Sequence, residues 1–221
     1  MPRQVQSTVP NTETAQRILD IAERLVQTRG FNGFSYADVA EELNLTKASL
    51  HYHFPTKGDL GKELIERYEK GFLAALTSID ASNSPPCEKL ESYVRIYTNV
   101  LRNGRMCLCG MLAAEYPTLP QPMQTAIKHF FDENERWLVG VVEAGHAAGN
   151  LQVDGDAREV ARLLVGSLEG AMMIARSFSD VERFEHAASR LLAKLCPAAQ
   201  HAAKKAAKIP PPRLRRARAP G

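Results

Sequence analysis

The 221-residue sequence contains no uncharged apolar run of membrane-spanning length. Stretches such as Leu163 to Leu168 fall far short of the roughly 20 residues a span requires, so no membrane partner is expected. The opening residues, MPRQVQSTVPNTET, lack an apolar centre and a signal-peptide pattern, and no export is expected. Cysteine is scarce. Cys87, Cys107, Cys109 and Cys196 do not make a disulfide scaffold in a chain this long, which points to the reducing cytoplasm. Cys87 and Cys196 read as small buried hydrophobes. Strand-like alternation and internal repeats are missing. So are a glycine-rich phosphate loop, an HExxH pair and a paired-carboxylate motif, and no nucleophile–base pair stands out. These absences weigh against an enzyme and imply no cofactor.

What remains is a globular composition, 44% hydrophobic and 24% charged, with unevenly placed charge. The formal net charge is +3. The last 21 residues hold Lys204, Lys205, Lys208, Arg213, Arg215, Arg216 and Arg218 and no acid. Without those seven, 21 basic residues face 25 acidic ones, so the body carries −4. A globally basic nucleic-acid binder is thus not indicated, and any contact with DNA would have to come from a local patch, from the tail, or from both.

Apolar residues at three- and four-residue spacing (Ala15, Ile18, Leu19, Ala22, Leu25, Val26) predict a helix from an N-cap at Thr12 to the stop at Gly30. Ser35, with Asp38 three residues on, caps a short helix to about Leu43. Asn44-Leu45 reads as a tight turn, and Thr46 caps a second short helix from Lys47 to about His53, ended by Pro55. Thr56 caps a longer helix from Lys57 towards Ile79. Two short helices joined by a tight turn between longer ones make a helix-turn-helix unit. Further helices are expected at roughly Cys87–Arg102, Met106–Glu115, Gln121–Ala148, Asp156–Phe178 and Val181–Leu195, about nine in all. The fold class is all-α. The expected organisation is a disordered lead-in over 1–11, a DNA-binding unit over 12–56, a larger helical domain over 57–198 and a disordered basic tail over 199–221.

Phe31, Phe34, Val39, Ala40, Leu43, Leu45, Leu50, Tyr52 and Phe54 supply a small core for the first unit. Thr46, Lys47, Ala48, Ser49, His51 and His53 remain outward, with no acid between Asn44 and Gly58. Small donors and a helix N-terminus suit the major groove, and Lys57 with the first amides of its helix would clamp a phosphate. His51 and His53 cannot share a metal, because residues two apart on a helix point away from each other; no metal site is expected.

This segment resembles the DNA-binding domain of the TetR family of bacterial transcriptional regulators. The resemblance rests on Gly30-Phe31, Phe34-Ser35, Asp38-Val39-Ala40, Leu45-Thr46-Lys47-Ala48-Ser49-Leu50 and Tyr52-His53-Phe54-Pro55-Thr56-Lys57 with Leu60, over roughly residues 12–70. It implies a homodimeric repressor that grips a palindromic double-stranded operator and lets go when a small molecule enters the larger domain. It implies DNA contact at Ser35, Tyr36, Thr46, Lys47, Ala48, Ser49, His51, Tyr52, His53 and Lys57. It also implies dimerisation through the last two long helices, where Gly166, Gly170 and Ala171 permit close approach.

Cys107 and Cys109 lie in Met106-Cys107-Leu108-Cys109-Gly110-Met111, near Arg102 and Arg105. A helix start and nearby arginines would lower a thiol pKa, making Cys107 a candidate sensor. Some family members place a Gly-Cys-Leu-like segment here; Arg105-Met106 replaces the usual glycine. Tyr93, Tyr97, Met111, Phe130, Phe131, Trp137, Met172 and Met173 are expected to wall an effector cavity suited to a small apolar or electrophilic molecule. A thiol-based redox or electrophile-processing enzyme is the alternative reading. The basic tail would add affinity for any duplex by counterion release.

Overall fold

The computed structural model describes residues 13–196, and among them there is no strand. The expected lead-in, the Thr12 cap and the basic tail lie outside the described residues. Helices α1 (Glu13–Arg29), α2 (Tyr36–Leu43) and α3 (Lys47–His53) form the first unit. They are followed by α4 (Lys57–Ala81), α5 (Pro86–Arg102), α6 (Leu108–Ala114), α7 (Gln121–Ala147), α8 (Ala157–Ser177) and α9 (Val181–Leu195). A 3-10 turn over Tyr116–Thr118 occupies the proline-rich break before α7.

The ends of the short helices follow from side-chain chemistry. Ser35 Oγ accepts from the Ala37 amide while the Asp38 carboxylate accepts from the Ser35 amide at 2.7 Å, a reciprocal capping box. Asn44 closes α2 in the left-handed conformation, with φ of 53°. Thr46 accepts from the Ser49 amide to open α3. Thr56 and Asp59 repeat the capping box at α4. Gly30, at φ +83°, takes the chain off α1 in a conformation that favours glycine.

The apolar stripe of α1 is buried against α2, α4 and α6, with Ile18, Ala22 and Val26 fully enclosed. In the larger part, α8 lies between α7 and α9, α4 packs along α7, and α5 rests on α7 and α9. The two parts are tied by polar contacts to α1 and to the loop after it. Glu115, just after α6, accepts from the amides of Phe31 at 2.6 Å and Asn32 at 3.2 Å. The Met106 amide donates to the Gln27 carbonyl, and Arg67 of α4 pairs with Asp20 and Glu23 of α1.

One covalent tie departs from the sequence reading. Cys87 and Cys196 are not free hydrophobes; they form a disulfide that joins the start of α5 to the residue after α9. Their separation of 109 residues hides the pairing from any local pattern, because α5 and α9 meet only in the folded chain.

Candidate functional site

Helix α3 presents a continuous outer surface. Thr46, Lys47, Ala48 and His51 are exposed, Ser49 is half-buried, and Tyr52 is 75% exposed. Leu50 and Phe54 anchor the inner side. Tyr52 is thus a surface residue, not part of the small core in which the sequence reading placed it. His53 has the opposite fate: it is buried beside Tyr52, with ring centroids 5.2 Å apart, and its Nδ1 has no hydrogen-bond partner. His51 Nδ1 bonds the Pro55 carbonyl at 3.0 Å, and its ring lies 4.8 Å from that of Tyr36.

Two other expected DNA contacts turn inward. Tyr36 is buried, and its hydroxyl lies 2.7 Å from the carbonyls of both Phe54 and Thr56, which locks α2 to the end of α3. Burial, and then the charge of Asp59, push this phenol far above its usual range. Lys57 is half-buried, with its ammonium bonded to the carbonyls of Phe31 and Phe34 and lying over both rings, 4.5 and 4.2 Å from their centroids. Burial lowers its pKa, opposed by Glu115 and Asp38. The ammonium closes the loop after α1 and is already occupied. Ser35 is exposed, but its side chain is engaged in the α2 cap.

The interior of the larger part gathers most of the expected effector residues. Tyr97, Phe130, Met172, Cys107 and Cys109 are buried, while Met111, Phe131 and Trp137 pack at the margin. Met173 points outward. Tyr93, Tyr97 and Asn134 form a closed ring of hydrogen bonds: Tyr93 Oη donates to Asn134 Oδ1 at 2.8 Å, Asn134 Nδ2 donates to Tyr97 Oη at 3.2 Å, and the two hydroxyls are 2.9 Å apart. Trp137 stacks on Tyr93 at 5.7 Å and donates to Asp80 at 2.8 Å. Phe72 meets Tyr93, Tyr97 and Phe130 edge-on, with centroids 5.1–6.2 Å apart.

The sequence reading missed Glu169 of α8. Neither carboxylate oxygen has a hydrogen-bond partner, and both are sealed from solvent. Burial raises its pKa to about 7, partly offset by the Cys107 thiol alongside. The same charge acts on the cysteines. Cys107 and Cys109 are pushed well above the ordinary thiol value, first by burial and then by Glu169. The expected lowering by arginines is therefore corrected. Arg102 points elsewhere and pairs with Glu185 at 2.7 Å. Periodicity carried a signal for Glu169, which sits four residues after Val165 and three before Met172, both buried. Asn134, between Phe130 and Leu138 on α7, occupies the buried stripe in the same way.

On the outside of α8, Leu163, Met173 and Ile174 are exposed, as is Phe178 just after its end, and Gly166 and Gly170 face open space. No helix among the described residues is long and apolar enough to cross a membrane, and no three or more His, Cys, Asp or Glu side chains there come together as a metal-ligand group.

Comparison with known proteins gives the following. Residues 18–64 match the family described as bacterial regulatory proteins, tetR family, and residues 86–191 match the tetracyclin repressor-like C-terminal domain. A TetR-family transcriptional regulator structure from Agrobacterium tumefaciens is similar at 32% identity, with a TM-score of 0.80 over 82% of this chain and 97% of its own. A TetR transcriptional regulator from Legionella pneumophila is also 32% identical, with a TM-score of 0.76 over 83% of this chain and 98% of its own. The HTH-type transcriptional repressor DhaR of Mycobacterium sp. (strain GP1) is 22% identical over 177 residues, which is 78% of this chain and 89% of DhaR.

Proposed function

Because the chain belongs to the TetR family of DNA-binding transcriptional regulators, we propose that it is a ligand-responsive repressor that acts as a homodimer on a palindromic operator in the cytoplasm. The observation that carries this reading is the outer face of α3. Thr46, Lys47, Ala48, His51 and Tyr52 are exposed on a segment that has no acid between Asn44 and Gly58. Small groups near the helix start can approach base edges, while Lys47 and the Tyr52 hydroxyl reach phosphates. Lys57 and Tyr36 contribute by fixing the attitude of α3, not by touching DNA.

The exposed stripe of Leu163, Met173, Ile174 and Phe178, with glycines at 166 and 170, supports pairing of α8 and α9 with a second copy. Two α3 helices must then lie roughly 34–36 Å apart to enter successive major grooves. A ligand inside the larger part alters operator affinity only through its differential affinity for two arrangements of α4, α6 and α8 relative to α1. Glu115 and the Met106 amide, both on the α1 end, are the contacts through which such a shift reaches the reading head.

Selection of fragments from random duplex pools, followed by footprinting, tests the reading. A discrete two-fold symmetric site is expected. Lys47→Ala and Tyr52→Phe should each weaken it, and Lys47→Ala should reduce the salt slope by about one unit. Length-dependent coating of DNA without a preferred site would defeat it.

A further inference from the structure

The interior of the larger part holds a carboxyl group whose two oxygens have no hydrogen-bond partner. Both oxygens of Glu169 are sealed from solvent and unbonded. Several neighbouring polar groups are committed elsewhere. The Tyr93 and Tyr97 hydroxyl hydrogens and one amide hydrogen of Asn134 are spent in their own ring. Arg176, two turns along α8, gives its guanidinium to the backbone carbonyls of Gln27 and Thr28 and to Met111 Sδ. His129 is bound to Glu69. The Cys107 thiol lies beside Glu169 and is the one group that favours its charged form.

The fold nevertheless makes room for this carboxylate. A Cβ on Gly110 of α6 would stand 2.2 Å from Glu169 Oε2, so α6 carries glycine where the carboxylate rests. The surroundings are aromatic. Tyr68, Phe72 and Phe130 form tilted and edge-on contacts with one another, and Phe72 extends the cluster to Tyr93 and Tyr97. A buried carboxyl group within electrostatic reach of Tyr68, Tyr93 and Tyr97 matches a particular ligand chemistry. The oxygens call for N–H donors bearing positive charge, and the rings accept a cation or an apolar body. A quaternary ammonium answers the charge but leaves the oxygens without donors. An amidinium offers two parallel N–H bonds to the two oxygens.

We propose that Glu169 is the anchor for an organic cation carrying N–H donors, a protonated amine or an amidinium, whose apolar part lies among Tyr68, Phe72, Tyr93, Tyr97 and Phe130. This rests on the effector-responsive reading above and names the class of effector. It names a different class from the small apolar or electrophilic molecule expected from the sequence, because the interior is not free of polar groups.

The test is calorimetric titration of the full chain with benzamidine and with its uncharged analogue benzamide, accompanied by fluorescence of Trp137, which stacks on Tyr93. Benzamidine should bind, and benzamide about tenfold or more weakly, as expected for a buried charge-assisted pair. Glu169→Gln should remove the preference. Equal binding of the two compounds, failure of benzamidine to bind, or unchanged benzamidine affinity in Glu169→Gln each overturns the proposal. The comparison of the two compounds on the unmodified protein needs no variant, so a folding defect in Glu169→Gln leaves it decisive. Retention of the selected operator fragment is measured in parallel. Benzamidine binding without any change in DNA affinity supports the cation site and defeats the effector-responsive reading. Operator release by benzamide but not by benzamidine keeps that reading and defeats the cation site.

Discussion

Arg176 of α8 donates to the backbone carbonyl of Gln27 at 3.3 Å, across 149 residues of sequence. The same guanidinium also bonds the Thr28 carbonyl and Met111 of α6. A cation at the C-terminal end of α1 complements the helix dipole and satisfies carbonyls that have no partner within the helix. This one side chain ties the larger part of the chain to the frame on which α3 is mounted. Arg176→Met is expected to cost about 1–3 kcal/mol by urea unfolding, since it removes charged donors from half-buried carbonyls. Amide exchange at Gly30 and Phe31 should quicken in the same variant. Unchanged exchange there would mean that the contact does not hold the two parts together.

Lys57 yields a separate prediction. Its ammonium closes the Phe31–Phe34 loop and lies over both rings. Lys57→Met should therefore destabilise the first unit by about 1–3 kcal/mol and weaken all DNA binding alike, with the salt slope nearly unchanged. A variant with normal melting but a salt slope lower by about one would place Lys57 on a phosphate instead.

Glu169 gives the fold a pH dependence whose sign is opposite to that of a paired carboxylate. Its pKa rises from 4.5 to about 7 on folding. Between those values the folded chain binds more protons than the unfolded one, so stability falls as pH rises through this window and then levels off. The full effect is of the order of 3 kcal/mol. The groups that feel its charge are Tyr68 of α4, Tyr93 and Tyr97 of α5, and Cys107 and Cys109 beside and within α6. All are pushed upward and stay neutral across the window. Urea unfolding at pH 5, 6, 7 and 8 should show this decline in the unmodified chain and a flatter profile in Glu169→Gln. Parallel profiles would contradict the assignment.

The Cys87–Cys196 bond closes a long loop and restricts the unfolded chain. Reduction, or replacement of both cysteines by serine, is expected to lower stability by up to about 4–5 kcal/mol, the loop-entropy figure for a separation near one hundred residues. Urea unfolding with and without a phosphine reductant measures this, and the doubly substituted chain should be insensitive to reductant. Coincident curves for the unmodified chain would show that the bond contributes nothing.

The sequence by itself determined the helices and their ends, because those signals act within one or two turns. Ser35 with Asp38, Asn44, Thr46 and Pro55 mark α2 and α3, and the stripes of α1 and α8 name their buried faces. The helix-turn-helix unit was legible for the same reason. Which way Tyr52 and His53 face was not, since α3 spans only seven residues and too few turns to define a stripe. Tertiary structure alone decided that Lys57 and Tyr36 turn inward, that cysteines 109 residues apart are joined, and that Arg176 reaches α1. It also decided that Glu169 has no partner. Each of these depends on groups brought together by packing between distant helices, and the charge and burial of a side chain are fixed by those neighbours, not by the residues beside it in the chain.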